Sequence, residues 1–298
     1  MPSSRDHSAP LEPGLYIVAT PVGNLEDITL RALRVLKSAA VIACEDTRQT
    51  HKVLEHYGIQ AQMVSYHEHN ELTRAAELVK QMEEGAAVAL VSDAGTPGIS
   101  DPGYRLITFC VRHHVKVIPV PGAAAFLSAL VASGLPTDSF RYNGFLPARS
   151  GERRSKLEEV AGSPRTQIFY EAPHRILVAL EDIAELLGPQ RRVVIAREVT
   201  KMHEEFLRGS AQQVLDELRN RDGGVKGEIT LLIGRAEPEE LAAAAATIST
   251  SKKKDAAHRL QEIMESQKLD EKSALKVLAK EMGVSKSEVY REVQRKKK

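Results

Sequence analysis

The chain has 298 residues, which is long for one typical domain and predicts two or three. Hydrophobic residues make up 42%, enough for sizeable cores, while aromatics are 4% and Trp is absent, which argues against a stacking-platform binder of single strands. The net charge of +1 hides an asymmetry, since Lys252 to Lys298 carries 14 Lys/Arg against 8 Asp/Glu and the remainder 27 against 32. Such a tail suits a polyanionic partner, or serves only as a solubilising end.

Met1 to Pro13 is polar and lacks an apolar core, so it is expected to be a disordered tail rather than a secretory signal. Leu15 to Thr20 predicts a strand stopped by Pro21. Thr29 to Ser38 has helical spacing, Ala39 to Cys44 is a buried-strand run, and Gln49 to Tyr57 a helix ended by Gly58. A weak strand at Gln62 to Ser65 precedes an amphipathic helix, Glu71 to Glu84. Ala86 to Val91 is the clearest strand of the chain. Pro102 to His113 predicts a helix, Val115 to Val120 a strand, and Gly122 to Ser133 a small-residue helix stopped by Gly134 and Pro136. The apolar stretch near Ala123 to Leu135 is too short and interrupted for a membrane span. Cys44 and Cys110 both sit in apolar runs and read as buried thiols in a reducing cytoplasm. Apolar strands alternating with helices predict a parallel sheet covered on both faces.

Gly134 to Asp138 marks the passage to a second unit. Strands are expected at Arg165 to Tyr170, Arg192 to Arg197, Glu204 to Leu207 and Glu228 to Ile233. Helices are expected around Leu157, at Ile176 to Leu187 and at Ala211 to Leu218. The short link between the strands near Arg192 and Glu204 predicts a mixed or antiparallel sheet. The expected boundaries are 14–135 and 136–236 for the two α/β domains, 237–253 for a linker and 254–298 for a helical domain. In the last, Leu275, Leu278, Ala279, Met282, Gly283 and Val289 fit a helix–turn–helix, with Ser285 and Glu288 as a capping box. An ordinary helical hairpin fits as well.

Chemistry concentrates at strand ends. Val91-Ser92-Asp93-Ala94-Gly95-Thr96-Pro97 follows the clearest strand with small residues that admit close backbone approach, and Asp93 adds a carboxylate. Ala19-Thr20-Pro21-Val22-Gly23 and Val120-Pro121-Gly122-Ala123-Ala124 end two further strands in the same manner. None is a GxGxxG or a phosphate-binding GxxxxGK[ST] loop. Glu45-Asp46-Thr47-Arg48 and Glu171-Ala172-Pro173-His174-Arg175 each combine acids with an Arg after a strand, as substrate-facing walls would. His67-Glu68-His69 lacks the spacing of a helical zinc motif, so no metal is expected and a substrate or RNA loop is the better reading. Arg141, Arg149, Arg153, Arg154 and Lys156 form a basic patch or a solvated helix face.

These segments, with Phe169-Tyr170 and Gly227-Glu228-Ile229-Thr230, closely resemble the ribosomal RNA small-subunit methyltransferase I family of the tetrapyrrole-methylase-like (class III) group. The resemblance runs from about Leu15 to Arg235 and extends to the C-terminal tail. It implies a two-domain α/β tetrapyrrole methylase-like fold, with a parallel N-terminal domain, a mixed-sheet second domain and a small helix–turn–helix domain. It also implies S-adenosyl-L-methionine as cofactor, held by Pro21, Gly23, Asp93, Ala94, Gly95, Thr96, Pro97, Ala123, Ala124, Tyr170, Ala172, Glu228 and Ile229. The implied reaction is 2′-O-methylation of a decoding-centre cytidine of 16S rRNA in the 30S subunit, with a cytoplasmic homodimer as the assembly. Relatives with tetrapyrrole or diphthamide-type acceptors usually show a Gly-Asp-Pro loop, and Ser92-Asp93-Ala94 departs from it toward the RNA branch.

Removing the proton of a ribose hydroxyl calls for a positioned base. Candidates are Glu45, Asp46, His67, His69, Glu171, His174 and Glu198, with Glu45, Asp46, Arg48, Glu171, His174 and Arg175 favoured as the catalytic set. His67, His69, Arg149, Arg153, Lys286 and Arg291 are the expected RNA contacts. Two other functions fit the sequence: a small-molecule methylase of the same fold, and a ligand-sensing DNA-binding regulator.

Overall fold

The computed structural model describes residues 10–237, 260, 263–264, 270–282 and 289. Residues up to Glu158 with Arg165–Arg235 form one unit, and Glu159–Pro164 with the chain from Ala236 onward form a second.

The first unit opens with β1 (Gly14–Val18), α1 (Leu30–Ser38), β2 (Val41–Cys44), α2 (Thr47–His56), β3 (Met63–Ser65), α3 (Glu71–Glu83), β4 (Ala87–Val91), α4 (Tyr104–Arg112), β5 (Val117–Val120) and α5 (Ala125–Ser133). Its strands make a parallel sheet of order β3-β2-β4-β1-β5. Period-two alternation sends successive residues to opposite faces. Leu15, Ile17, Val88 and Leu90 pack with Leu78 and Met82 of α3 and Leu106 of α4. Tyr16, Val18, Ala89 and Val91 pack with Val35 and Leu36 of α1 and Leu54 of α2. Both faces are therefore covered, as the apolar strands predict. Cys44 and Cys110 are buried free thiols.

The chain continues through β6 (Phe140–Phe145), α6 (Ser150–Ala161), β7 (Thr166–Glu171), α7 (Ile176–Leu186), β8 (Arg192–Arg197), β9 (Glu205–Ser210), α8 (Ala211–Arg219) and β10 (Ile229–Ile233). These strands form a mixed sheet of order β6-β7-β10-β8-β9 in which only β6 and β7 run parallel. The strand β6 is absent from the sequence expectation. Helix α5 carries Ala129 and Leu130 onto Ile168, Val194 and Leu232 of this second sheet, so it joins the two halves of the unit through one core. Helix α8 starts on a capping box in which Ser210 and Gln213 satisfy each other's backbone N–H.

Two helix starts fall later than expected, and both leave loop where the site forms. Helix α4 begins at Tyr104 rather than Pro102. Helix α5 begins at Ala125 rather than Gly122, with Ala124 extended at φ −148°, ψ 113°.

In the second unit, α9 (Glu271–Met282) contributes Ala274, Leu275, Leu278 and Ala279 to a core with Leu260, Ile263 and Val289. The expected turn at Gly283, the cap at Ser285, and Lys286 and Arg291 lie outside the described residues.

Candidate active site

In a parallel sheet every strand's carboxyl end lies on one edge, where ligands of such folds bind. The loops after β1 and β4 are joined there by a reciprocal pair of main-chain bonds, Thr20 N–H to Gly95 O at 2.9 Å and Gly95 N–H to Thr20 O at 3.1 Å. Thr20 Oγ1 also donates to Ser92 O at 3.2 Å. Gly95 holds φ +81°, a left-handed conformation that a side chain would strain. Thr96 Oγ1 donates to Ala123 O at 3.1 Å and so ties the β4 loop to the β5 loop.

Above this floor lies a cavity of about 370 Å³, within the ~300–1,000 Å³ range of small-molecule sites. Its first-half wall comes from Val22, Ala94, Gly95, Thr96, Ile99, Ser100, Asp101 and Ala124 to Phe126. Its second-half wall comes from Phe145, Tyr170 to Pro173, Ala196, Val199 and Gly227 to Thr230. Four aromatic residues cluster at this cavity. Phe126 meets Tyr142 at 4.8 Å between ring centroids, and Tyr170 meets Tyr142 at 5.3 Å and Phe145 at 5.5 Å.

Of the expected cofactor positions, Ala94, Gly95, Thr96, Ala124, Tyr170, Ala172, Glu228 and Ile229 line the cavity. Pro21, Gly23, Asp93, Pro97 and Ala123 are outside the lining. Ala123 contributes the carbonyl that fixes Thr96. Asp93 Oδ1 accepts the Asp46 N–H at 3.1 Å, so its carboxylate braces the β2 loop rather than facing the cavity. Pro21 and Pro97 are buried beside the floor, and Gly23 is exposed.

The expected catalytic set divides more sharply. Only Glu171 lines the cavity. Its Oε1 accepts from Ala172 N–H and from Arg175 at 2.7 Å each, while Oε2 is buried without a hydrogen-bond donor. Burial pushes the Glu171 carboxyl above its ordinary range, against the pull of Ala172 N–H and Arg175. Arg175 engages this carboxylate through Nη2, while its Nε is buried without a hydrogen-bond partner. His174 is exposed outside the lining.

Asp46 stands outside the cavity lining. It is the N-cap of α2 and accepts from Arg48 N at 2.8 Å, Nε at 3.0 Å and Nη2 at 2.7 Å. These bonds pull its carboxyl down to about 2. Glu45 moves the other way, raised by burial and then by Asp93 and Glu68. Glu198 is lowered, chiefly by the Glu228 N–H it accepts at 2.9 Å, with Lys201 and Arg197 assisting.

Among the expected RNA contacts, His69 and Arg149 are exposed and His67 is half-buried, its ring 5.8 Å from that of His69. Arg153 is corrected. It is 4% exposed and donates from Nε to Asp182 Oδ2 at 2.7 Å, which leaves no face for a phosphate. Among the described residues, no cluster of ligating side chains suits a metal ion, and no helix is long and apolar enough to cross a membrane.

The sequence reading missed Asp101, which lines the cavity half-buried. Burial first, then Glu45 and Asp93, push its carboxyl up to about 6 against a hydrogen bond from Ser92. Its only local signal is an Asp-Pro pair just after the small-residue loop.

A family model for tetrapyrrole (corrin/porphyrin) methylases matches residues 14–215. A protein of Halalkalibacterium halodurans named ribosomal RNA small subunit methyltransferase I is 50% identical over 231 residues, covering 76% of this chain and 79% of its own length. A protein of the same name from Escherichia coli O157:H7 is 48% identical over 231 residues, covering 77% and 81%. Among solved structures, the methyltransferase CobJ superposes with a TM-score of 0.56 at 20% identity, covering 75% of this chain and 94% of its own. Uroporphyrin-III C-methyltransferase from Thermus thermophilus, complexed with S-adenyl homocysteine, gives 0.52 at 19% identity, covering 74% and 97%. At such identities these two structures speak to the fold alone.

Proposed function

The chain belongs to the ribosomal RNA small subunit methyltransferase I family, within the tetrapyrrole methylases, and from that premise we propose that it moves the methyl group of S-adenosylmethionine to the ribose 2′-hydroxyl of a decoding-centre cytidine in 16S rRNA. The observation that carries the reading is the cavity at the strand ends of the parallel sheet, walled by small-residue loops on one side and by Tyr170 and Ala172 on the other.

The residues present fit such a cofactor. The cavity is of small-molecule size, and the buried Glu171 Oε2 lacks a donor that a ligand amine or hydroxyl would supply. Gly95, Ala124, Tyr170, Ala172 and Ile229 would hold it. When bound, the sulfonium supplies an electrophilic methyl carbon. The protein's own part is to align the acceptor oxygen, exclude water and take up a proton, and alignment alone supports large accelerations.

The identity of about half over three quarters of the chain with proteins named for ribosomal RNA supports an RNA acceptor over a tetrapyrrole one. On this reading His67, His69 and Arg149, with Lys286 and Arg291 of the basic C-terminal segment 254–298, contact the RNA. We further propose a cytoplasmic homodimer. Leu127 and Val131 of α5, 47% and 70% exposed, supply apolar surface for it.

Transfer of labelled methyl to 30S subunits, naked rRNA and tRNA, followed by mapping of the modified nucleotide, tests the function. Incorporation at a 16S cytidine ribose is expected. No incorporation into any RNA, with tight binding to duplex DNA instead, would overturn it.

A further inference from the structure

The segment Ser100 to Asp101 lines two cavities. One is the cavity described above, and the second is a shallower cavity of about 320 Å³, bordered by Glu68, Glu71, Tyr104 and Arg105. Ser100 is held at φ +61°, in the left-handed region, and its Oγ lies 2.6 Å from the Tyr142 hydroxyl. Tyr142 in turn packs edge-on against Tyr170, so the segment is braced from the second sheet.

The second cavity has the parts a nucleotide needs. Tyr104, at the start of α4, is 74% exposed and offers an aromatic face to a base. The Arg105 guanidinium is half-exposed and ion-paired with Glu71, a partner that a phosphate can exchange with. Glu68 and Glu71 border the same cavity, and carboxylate oxygens there can accept from ribose hydroxyls.

We propose that this second cavity seats the acceptor nucleotide and that Asp101, on the shared wall, removes the proton from its hydroxyl. The assignment rests on the methyltransferase reading given above. The proton passes from the acceptor oxygen to an Asp101 carboxylate oxygen. The oxygen lone pair forms the new O–C bond as the C–S bond pair returns to sulfur, which leaves a neutral thioether. Asp101 then releases its proton to water.

The groups around Asp101 suit that role. Glu45 and Asp93 act on it from the ends of β2 and β4, Tyr142 and Tyr170 sit on the second-sheet side, and Glu68, Glu71 and Arg105 border it across the second cavity. With its carboxyl pushed up to about 6, Asp101 is ionised at neutral pH yet more basic than an ordinary aspartate.

The test uses the full-length protein, 30S subunits and three variants. Asp101→Asn is expected to slow single-turnover methyl transfer ~10²–10⁴-fold, with affinity for S-adenosylhomocysteine by calorimetry unchanged. The wild-type rate should show an acid limb with a midpoint near pH 6 that Asp101→Asn abolishes, and Asp101→Glu should recover part of the rate. Tyr104→Ala should raise KM for 30S much more than it lowers kcat. A wild-type rate in Asp101→Asn, or a rate loss matched by lost cofactor affinity, overturns the base. An unchanged KM in Tyr104→Ala overturns the subsite. A wild-type protein that methylates no RNA overturns the underlying function, and the base with it.

Discussion

The backbone N–H of Asp46 donates to the carboxylate of Asp93 at 3.1 Å. The two residues follow β2 and β4, adjacent strands of the parallel sheet, so a side chain of the small-residue loop fixes the entry to α2. Asp93 acts on the cavity through this tether and not as a lining group. Asp93→Ala removes the acceptor and is expected to weaken cofactor binding ~2–10-fold, the worth of one such bond. Asp93→Asn keeps an acceptor oxygen and should bind close to wild type. Calorimetry on both decides, and equal losses would show that charge matters rather than the tether.

The buried Arg153–Asp182 pair predicts a stability effect where the sequence pattern suggested RNA contact. Their side chains are 5% and 9% exposed, and Asp182 also holds Arg154 at 2.8 Å. Asp182→Ala strands a buried guanidinium and should cost ~3–5 kcal/mol in urea unfolding. Arg149→Ala, whose side chain is 84% exposed, should stay within ~0.5 kcal/mol and instead lessen the salt dependence of RNA binding.

How much of this was legible follows from which signals are local. Strand β4 is a continuous apolar run, Ala87–Val91, and announces itself. Strand β6 reads Phe-Arg-Tyr-Asn-Gly-Phe, an edge strand with a register shift between Tyr142 and Phe145, and no run of apolar residues marks it. Helix α6 is mostly polar, so only the surroundings of Leu157 hinted at it. The burial of Arg153 depends on a partner 29 residues away. Asp101 resembles a turn residue until the fold sets it beside Glu45 and Asp93. The loops of the cavity were legible because small residues at strand ends need no distant partner to be informative.

Glu205 predicts part of the acid limb of stability. Arg221 first, then Arg197, hold its carboxyl down to about 2, against an ordinary value of 4.5. A depressed folded value means that the stabilisation is complete above pH 4.5 and lost as pH falls toward 2. Glu205→Gln should therefore lower the urea midpoint at pH 7 and narrow the gap to wild type as the pH approaches 2.

Asp101 has the opposite sign. Its folded value is raised from 3.8 to about 6, so its contribution is fully present below pH 3.8 and is lost as pH rises through 6. At pH 7 the ionised group destabilises the fold, and Asp101→Asn should raise Tm there while equalling wild type at pH 4. A lower Tm at pH 7 would contradict the sign.

Gly227 sits on the second-half wall at φ +90°, and a Cβ there would meet the Glu198 carboxyl carbon at 2.6 Å. Glu198 is anchored by Glu228 N–H and Lys201, so it does not swing aside freely. Gly227→Ala should cost upwards of ~1 kcal/mol in thermal unfolding and weaken cofactor binding measured by calorimetry.

The bonds exchanged by Thr20 and Gly95 are made by main-chain atoms in both directions. Substituting Thr20 takes away its hydroxyl contact but leaves both of those bonds standing. The floor of the cavity is thus written in backbone shape, with glycine at one position as its chief demand on side-chain identity. Such a floor tolerates sequence drift that would erase a site built from side chains. The walls can then be reworked for a new acceptor while the base beneath them stays as it was.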